Sequence, residues 1–323
     1  MPKQDYTYAV ARVRALENAL LTQEDINQLL ACPNEDDAVD WLMAKGWGNG
    51  EDAKDGETIL KFEYNKTWKT ARELVKNMDN LNVLFYQNFF NDIKGSMKRI
   101  ATGIDAPEAY LENPFLTDEE FMEIFNERKW YKLQDELQQP TKEAFEILLE
   151  TGDGQLADTM VDRMCLEAYR RMAKKADHQI IKDYAEETVA VINIKIAVRG
   201  SRTGKNKAYF EMALSESNLI NKDGLIKAAL TGIEAIIEYL ETTEFKNGAE
   251  SLKKSLSSFE CWCDNRIVEL MKPQKRNSFT IGPVFAYLYA RENELKSVRN
   301  ILMGKRSKLS VDNIRERVRT MYV

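Results

Sequence analysis

Three segments of this chain repeat one another at a fixed spacing. They read NDIKGSMKR from Asn91, INIKIAVRG from Ile192 and NELKSVRNI from Asn293, so Lys94, Lys195 and Lys296 recur at intervals of 101 residues. Each lysine follows an aliphatic residue, Ile93, Ile194 or Leu295. A second pattern supports the repeat. Leu21, Leu116 and Leu219 are each followed by another leucine 21 residues later, at Leu42, Leu137 and Leu240. Just after the first leucine of each pair comes a helix-start signal: Thr22-Gln-Glu-Asp25, Thr117-Asp-Glu-Glu120 and Ile220-Asn-Lys-Asp223. Thr117 and Glu120 fit a capping box, in which a hydroxyl and a carboxylate satisfy orphan helix amides. A unit of about a hundred residues occurring three times is the economical reading. The divisions expected are 1–110, 111–209 and 210–323, with connections near 106–114, where Pro107 and Pro114 fall, and near 206–218. The tail from Ser310 to Val323 lies beyond the third copy and is expected to close the structure.

The repeating unit should be helical. Fifteen glycines and seven prolines in 323 residues leave few turns, which disfavours a fold of many short strands. Leu81, Leu84, Phe85, Phe89, Ile93, Met97 and Ile100 form one apolar face at helical steps, and Val284, Leu288, Leu295, Val298 and Leu302 form another. The middle copy conflicts with this. Ile192, Ile194, Ile196 and Val198 alternate with Asn193, Lys195, Ala197 and Arg199, a strand period in β-branched residues. Register and local propensity disagree there. Helix is the expectation, because tertiary context overrides propensity more easily than a triplicated register arises by chance. The fold expected is all-α.

Composition excludes several functions. A net charge of −6 and a pI near 5.3 argue against a general nucleic-acid binder. No run reaches the roughly 20 apolar residues of a membrane span, and the best candidate, Val189–Val198, is broken by Asn193 and Lys195. MPKQDYTYAV has no apolar signal core, so a cytoplasmic protein is expected. Cys32, Cys165, Cys261 and Cys263 form no C-x-x-C pair, and one histidine cannot complete a Cys/His metal site. Reduced thiols are expected.

Chemistry-bearing motifs are absent as well. GSRTGK, Gly200–Lys205, is similar to a phosphate loop but has three residues between its glycines instead of four, and Asn206 follows the lysine. A polar turn after a helix is the simpler reading. TGDGQ from Thr151 has no strand before it and reads as a loop. His178 has no nucleophile in a recognisable setting and reads as a surface or capping residue. Cys261 and Cys263, two apart, do not share a helix face. Acidic pairs such as Asp36-Asp37 and Glu186-Glu187 suit solvated faces. No catalytic, cofactor-binding or metal-ligating residue is assigned.

Basic residues do collect. Each motif helix ends in a cationic turn: Lys98 and Arg99; Arg199, Arg202, Lys205 and Lys207; Lys305, Arg306 and Lys308. One reading is local, since cations near a helix C-terminus complement its dipole by roughly 0.3–1 kcal/mol each. The other is that three equivalent turns form one face that docks and orients an acidic or ring-shaped partner. The two are compatible.

The ends of the chain add a resemblance. YAVARVRALENALL (Tyr8–Leu21), YLYARENELKSVRNILMGK (Tyr287–Lys305) and VDNIRERVRTMYV (Val311–Val323) resemble, in order and spacing, the C subunit of V-type and A-type rotary ATPases, counterpart of the eukaryotic d subunit. The resemblance runs the full length. Its middle third rests on length and on INIKIAVRG. It implies three helical modules about a pseudo-threefold axis, forming a funnel. It implies a non-catalytic rotor subunit, one copy per complex, that receives the central shaft and sits on the membrane proteolipid ring. It would be peripheral to the cytoplasmic face of the membrane, would span nothing and would bind no cofactor and no nucleic acid. The rival is a helical-repeat scaffold with an unrelated client. Such arrays usually have periods of 20–50 residues, and 101 fits closure better.

Overall fold

Helix ends are written into this sequence as side chains that replace missing backbone partners, and those side chains set the element order. The structure is a computed structural model and describes residues 6–48, 55–104 and 115–323. The described residues hold α1 (Thr7–Glu17), α2 (Gln23–Ala31), α3 (Glu35–Ala44), α4 (Gly56–Leu74), α5 (Tyr86–Thr102), α6 (Asp118–Asn126), α7 (Asp135–Thr151) and α8 (Gly154–Lys175). There follow α9 (Gln179–Arg202), α10 (Lys207–Ala213), α11 (Lys222–Thr231), α12 (Ile233–Glu241), α13 (Lys246–Lys254), α14 (Leu256–Met271), α15 (Gly282–Arg306) and α16 (Val311–Arg315). Short 3₁₀ turns join some of them, and no strand occurs among the described residues. The expected all-α class is the one that forms. The connection expected at 106–114 lies outside the described residues.

The three helix starts are real. Thr22 and Asp25 form a reciprocal capping box before α2, and Thr117 and Glu120 form another before α6. Asn221 caps α11 by accepting the Gly224 N–H at 2.7 Å. Such a cap is worth about 1 kcal/mol. The strand-like stretch in the middle copy lies inside the 24-residue α9. Its buried positions, among them Ile180, Ile181, Tyr184, Ala185, Thr188, Val189, Asn193, Ile194, Ala197 and Val198, step at the helical period. The alternation arises because α9 is enclosed by α8, α10, α11 and α12, so Ile192 and Ile196 on its flanks are half-buried too. A helix covered on several sides loses the polar face that would have announced it.

Two compact units are distinguishable: Met1–Met78 with Phe245–Val323, and Asp79–Glu244. In the second, α8 packs on α5, α7, α9 and α10. Aromatic rings fill its core: Phe89 meets Phe90, Phe115 and Phe121, and Phe125 meets Trp130 and Phe145. In the first, α15 is the central element, packed by α1, α2, α3, α4, α14 and α16.

That central helix carries a buried ion cluster. Arg291 donates from Nη2 to Glu63 Oε2 of α4 at 2.7 Å, from Nη1 to Glu294 one turn along α15, and from Nε to Thr67 Oγ1 at 3.3 Å. Its guanidinium lies 5.0 Å from the Trp47 ring centroid. Glu294 accepts the Leu21 N–H, and Glu63 accepts the Gly48 N–H at 3.0 Å and Lys66 Nζ at 3.1 Å. Arg291, Glu63 and Glu294 are all under one-tenth exposed. One guanidinium therefore ties α15 to α4, to the chain before α2 and to the chain after α3.

Truncating one member leaves an uncompensated buried charge, which costs roughly 3–5 kcal/mol. Arg291→Met should lose about that much in urea denaturation. Lys142→Ala, which breaks an exposed pair with Glu146, should lose less than about 1 kcal/mol.

Candidate functional site

The nine cationic candidates sit at the C-terminal ends of α5, α9 and α15 or just beyond, and most of them are already engaged. Lys98 pairs with Asp158 of α8 at 2.6 Å, and Arg99 with Asp118 in the first turn of α6 at 3.0 Å. Lys205 donates to Gln155 Oε1 at 2.6 Å and lies 5.3 Å from the Tyr209 ring centroid. Lys207 pairs with Glu211 at 3.3 Å along its own helix. Lys305 donates to the Leu30 carbonyl at 3.0 Å and to the Cys32 carbonyl, satisfying the C-terminus of α2. Arg306 grips Glu35 with both nitrogens, at 2.8 and 2.6 Å. Arg199 is exposed. Arg202 and Lys308 are exposed and make no ion pair or side-chain hydrogen bond among the described residues. The structure brings these cations together within each turn, and gives most of them to neighbouring helices.

The turns themselves are copies. At the end of α9, Lys205 N–H bonds the Gly200 carbonyl at 2.9 Å, Gly204 N–H bonds the Ser201 carbonyl at 3.1 Å, and Gly204 is left-handed at φ 63°. At the end of α15, Leu309 N–H bonds the Gly304 carbonyl at 2.9 Å, Lys308 N–H bonds the Lys305 carbonyl at 2.9 Å, and Lys308 is left-handed at φ 53°. Both are Schellman turns. The likeness continues past the turn. Asn206 caps α10 and Ser310 caps α16. A Cβ at Gly200 would lie 2.5 Å from the Phe210 ring, and one at Gly304 would lie 2.5 Å from Ile314 Cγ1. Buried Asn193 accepts the Ser215 N–H at 2.9 Å, and buried Ser297 accepts the Arg319 N–H at 3.2 Å. The Leu214 carbonyl is held by Arg163, and the Val318 carbonyl by Cys261 Sγ at 3.2 Å.

The matched positions from Asn193 to Ser215 and from Ser297 to Arg319 are 104 residues apart, three more than the spacing of Lys195 and Lys296. A slip of three is nearly one helical turn, so the apolar stripe stays almost in phase and identity alone does not expose it. At the end of α5 a left-handed Gly103, φ 69°, bonds back to the Arg99 carbonyl at 2.9 Å. GSRTGK is thus a helix stop, and its glycines serve close packing and a positive φ. His178 is a capping residue, its ring accepting the Ile180 N–H at 3.3 Å.

The C-terminal tail runs back over α14 and α15. Asp264 holds Arg319 at 2.9 Å and Lys296 at 3.0 Å. Burial works against the Asp264 charge, but Lys296 and Arg319 outweigh it and keep the carboxyl below its usual range. Asn265 accepts the Thr320 N–H at 2.8 Å, Asn293 donates to the Thr320 carbonyl at 3.2 Å, and Lys275 donates to the Tyr322 carbonyl at 2.7 Å. Arg14 of α1 donates to the carbonyls of Gln274, Lys275 and Asn277.

Two features escaped sequence reasoning. The Arg291 cluster could have been sought as charged residues on the inner face of the apolar Tyr287–Leu302 helix. Glu292 could not: its Oε1 is buried with no hydrogen-bond partner. Burial pushes its carboxyl up to about 8, and Lys296 one turn away offsets only part of that. Among the described residues, no group of three His, Cys, Asp or Glu side chains is placed to hold a metal ion.

Residues 9–317 match the family described as ATP synthase (C/AC39) subunit. The chain belongs to that family. It is 24% identical over 324 residues to the C subunit of the V-type sodium ATPase of Enterococcus hirae, covering 96% of this chain and 97% of the relative. It is 22% identical over 349 residues to the C subunit of the A-type ATP synthase of Methanocaldococcus jannaschii, covering 96% of this chain and 85% of the relative. No helix of this C/AC39 chain, among the described residues, is long and apolar enough to cross a membrane.

Two measurements check the turn and the carboxyl. A left-handed side chain costs roughly 1–2 kcal/mol, more than the roughly 0.5–1 kcal/mol of extra chain entropy that glycine loses. Lys308→Gly should therefore stabilise the fold by about 0.5 kcal/mol in denaturant melts, and Gly200→Ala should destabilise it. Glu292 binds its proton more tightly folded than unfolded, so its contribution to stability falls as pH rises from its ordinary value of 4.5 toward 8. The melting temperature of Glu292→Gln should exceed that of the wild type by a margin that widens from pH 5 to pH 8.

Proposed function

We propose that this chain is the C subunit of a rotary ATPase: a non-catalytic rotor element that connects the central shaft to the membrane proteolipid ring and passes torque between them. The supporting observation is the family match through residues 9–317, with two relatives of that kind aligned over most of their length. On this reading the three helical modules, 1–110, 111–209 and 210–323, surround a pseudo-threefold axis as a funnel. One copy sits in each complex on the cytoplasmic face, and ATP is hydrolysed or made by other chains of the complex.

The physical build suits the task. A torque-bearing part must not shear, and close-packed interiors transmit strain. In the first unit the central helix α15 is buried along most of its length and clamped by Arg291, Glu63 and Glu294. The side chains that close its helix ends are spent on its own neighbours, as with Lys305 on α2 and Arg306 on Glu35. Of the nine helix-end cations, Arg202 and Lys308 are exposed with no ion pair or side-chain hydrogen bond among the described residues, which leaves them able to meet other proteins of the complex.

Affinity purification of the tagged chain from native membranes in mild detergent checks this. The expected result is recovery of proteolipid, shaft and ATPase-head proteins together. Soluble clients without proteolipid would replace the rotor reading with a helical scaffold. Arg202→Glu with Lys308→Glu should lower recovery of the complex while the chain stays folded, losing only the roughly 0.3–1 kcal/mol that each helix-end cation contributes. Full recovery with both reversed would remove these two cations from the docking surface and leave the rotor role intact.

A further inference from the structure

The segment from Arg317 to Val323 lies against two polar stripes. On α14, Cys261, Asp264 and Asn265 share a face at helical steps of three and four. On α15, Asn293, Ser297 and Asn300 do the same. The stripes take the segment residue by residue. Asn300 donates to the Arg317 carbonyl at 3.0 Å and Cys261 Sγ to the Val318 carbonyl at 3.2 Å. Ser297 accepts the Arg319 N–H at 3.2 Å and Asn265 accepts the Thr320 N–H at 2.8 Å. Asn293 donates to the Thr320 carbonyl at 3.2 Å. From Arg319 onward no backbone–backbone hydrogen bond forms among the described residues. Side chains alone hold this part of the chain.

That lining tolerates an open state. A bared apolar groove loses free energy in proportion to its area, whereas water can replace the hydrogen bonds that these stripes give up. Asp264 keeps Lys296 at 3.0 Å when Arg319 leaves, so opening strands no unpaired carboxylate. The closed state also carries a cost of its own. Asn293 Oδ1 is buried without a hydrogen-bond partner among the described residues, and water entering the groove relieves it. The helices underneath do not depend on the segment: α14 packs on α13 and α15, and α15 on α1, α2, α3 and α4. Against opening stand the Arg319 pair with Asp264 at 2.9 Å and the burial of Met321 and Tyr322. The Tyr322 ring is covered by Lys275 Nζ, 4.4 Å from its centroid.

We propose that Arg317–Val323 is a strap that opens and closes as a unit while α14 and α15 stay packed, with the Asp264–Arg319 pair as its latch. Free energies of local opening range from near zero up to that of global unfolding, and segments with few buried apolar side chains lie at the low end. Opening bares both polar stripes and the Cys261 thiol. The inference does not depend on the rotor reading.

Cys261 and Cys263 supply the test. Both are buried on α14, but only Cys261 lies under the strap. Folded full-length chain is treated with iodoacetamide, and alkylation at each cysteine is followed by mass spectrometry. Cys261 should react at least about tenfold faster than Cys263, because strap opening precedes global unfolding. Arg319→Gln should raise the Cys261 rate by about tenfold or more, since a hydrogen bond to a charged group is lost, and should leave the Cys263 rate unchanged. Alkylation of Cys261 and Cys263 at one common rate in both proteins would mean that the segment opens only with the fold, and would overturn the strap. Wild-type Cys261 reacting as fast as in urea-denatured chain would mean that no closed strap exists, and would overturn it equally. If Arg319→Gln melts early, hydrogen exchange on the wild-type chain decides. The Arg319 and Thr320 amides should exchange faster than amides in the middle of α15, and equal protection would overturn the proposal.

Discussion

The guanidinium of Arg291 is the constraint around which the first unit is arranged. Two carboxylates, a threonine hydroxyl and an indole ring converge on it, and those carboxylates in turn take backbone amides at Leu21 and Gly48. Buried ion pairs gain little over well-packed apolar groups, because desolvation offsets their attraction. Their value is geometric. An apolar helix such as α15 could slide or rotate by one residue against α4 at modest cost, whereas a charge without its partner in that interior is far more costly. The cluster thus fixes register between segments more than two hundred residues apart in sequence.

The same economy appears at the helix ends. A cation near a helix C-terminus can be a local dipole partner or a contact for another protein, and composition does not separate the two. Geometry does. Lys98, Arg99, Lys305 and Arg306 reach acids or carbonyls on other helices of their own unit. Exposed surface pairs contribute little each, but Lys305 joins the end of α15 to the end of α2, and Arg306 grips Glu35 at the start of α3. These residues set where helices begin and end relative to one another.

Much of the fold was legible because helix boundaries are chemical. Thr22, Thr117 and Asn221 announce α2, α6 and α11 through side chains that stand in for missing backbone partners, and a carboxylate at the third position completes two of the boxes. Periodicity worked where a helix has a wet face, as in α5, and misled where it has none, as in α9. The likeness between the ends of α9 and α15 was legible and its register was not. Lys195 and Lys296 align by identity at 101, while Gly200 with Gly304, Asn193 with Ser297 and Ser215 with Arg319 align by structure at 104. Amino-acid identity weighs a lysine such as Lys296, held by Asp264, as heavily as a glycine that admits no Cβ, although a long side chain can reach its partner from more than one register. The buried Arg291 cluster stayed hidden because its partners are distant in sequence, and no local rule pairs Arg291 with Glu63.

That register changes how the repeated turn should be interpreted. Aligned at 101, the basic residues look like three versions of one cationic rim. Aligned at 104, Arg202 still matches Arg306, but Arg199, Lys205 and Lys207 match Met303, Leu309 and Val311. Repetition preserved what the backbone needs: the glycine against Phe210 or Ile314, the cap at Asn206 or Ser310, and the buried acceptor at Asn193 or Ser297. It did not preserve the solvent-facing positions. Where two turns share one backbone, positions held constant report on folding, and exposed positions that diverge in chemical type are free of that constraint. By that criterion the ends of α9 and α15 share a backbone without sharing a surface chemistry.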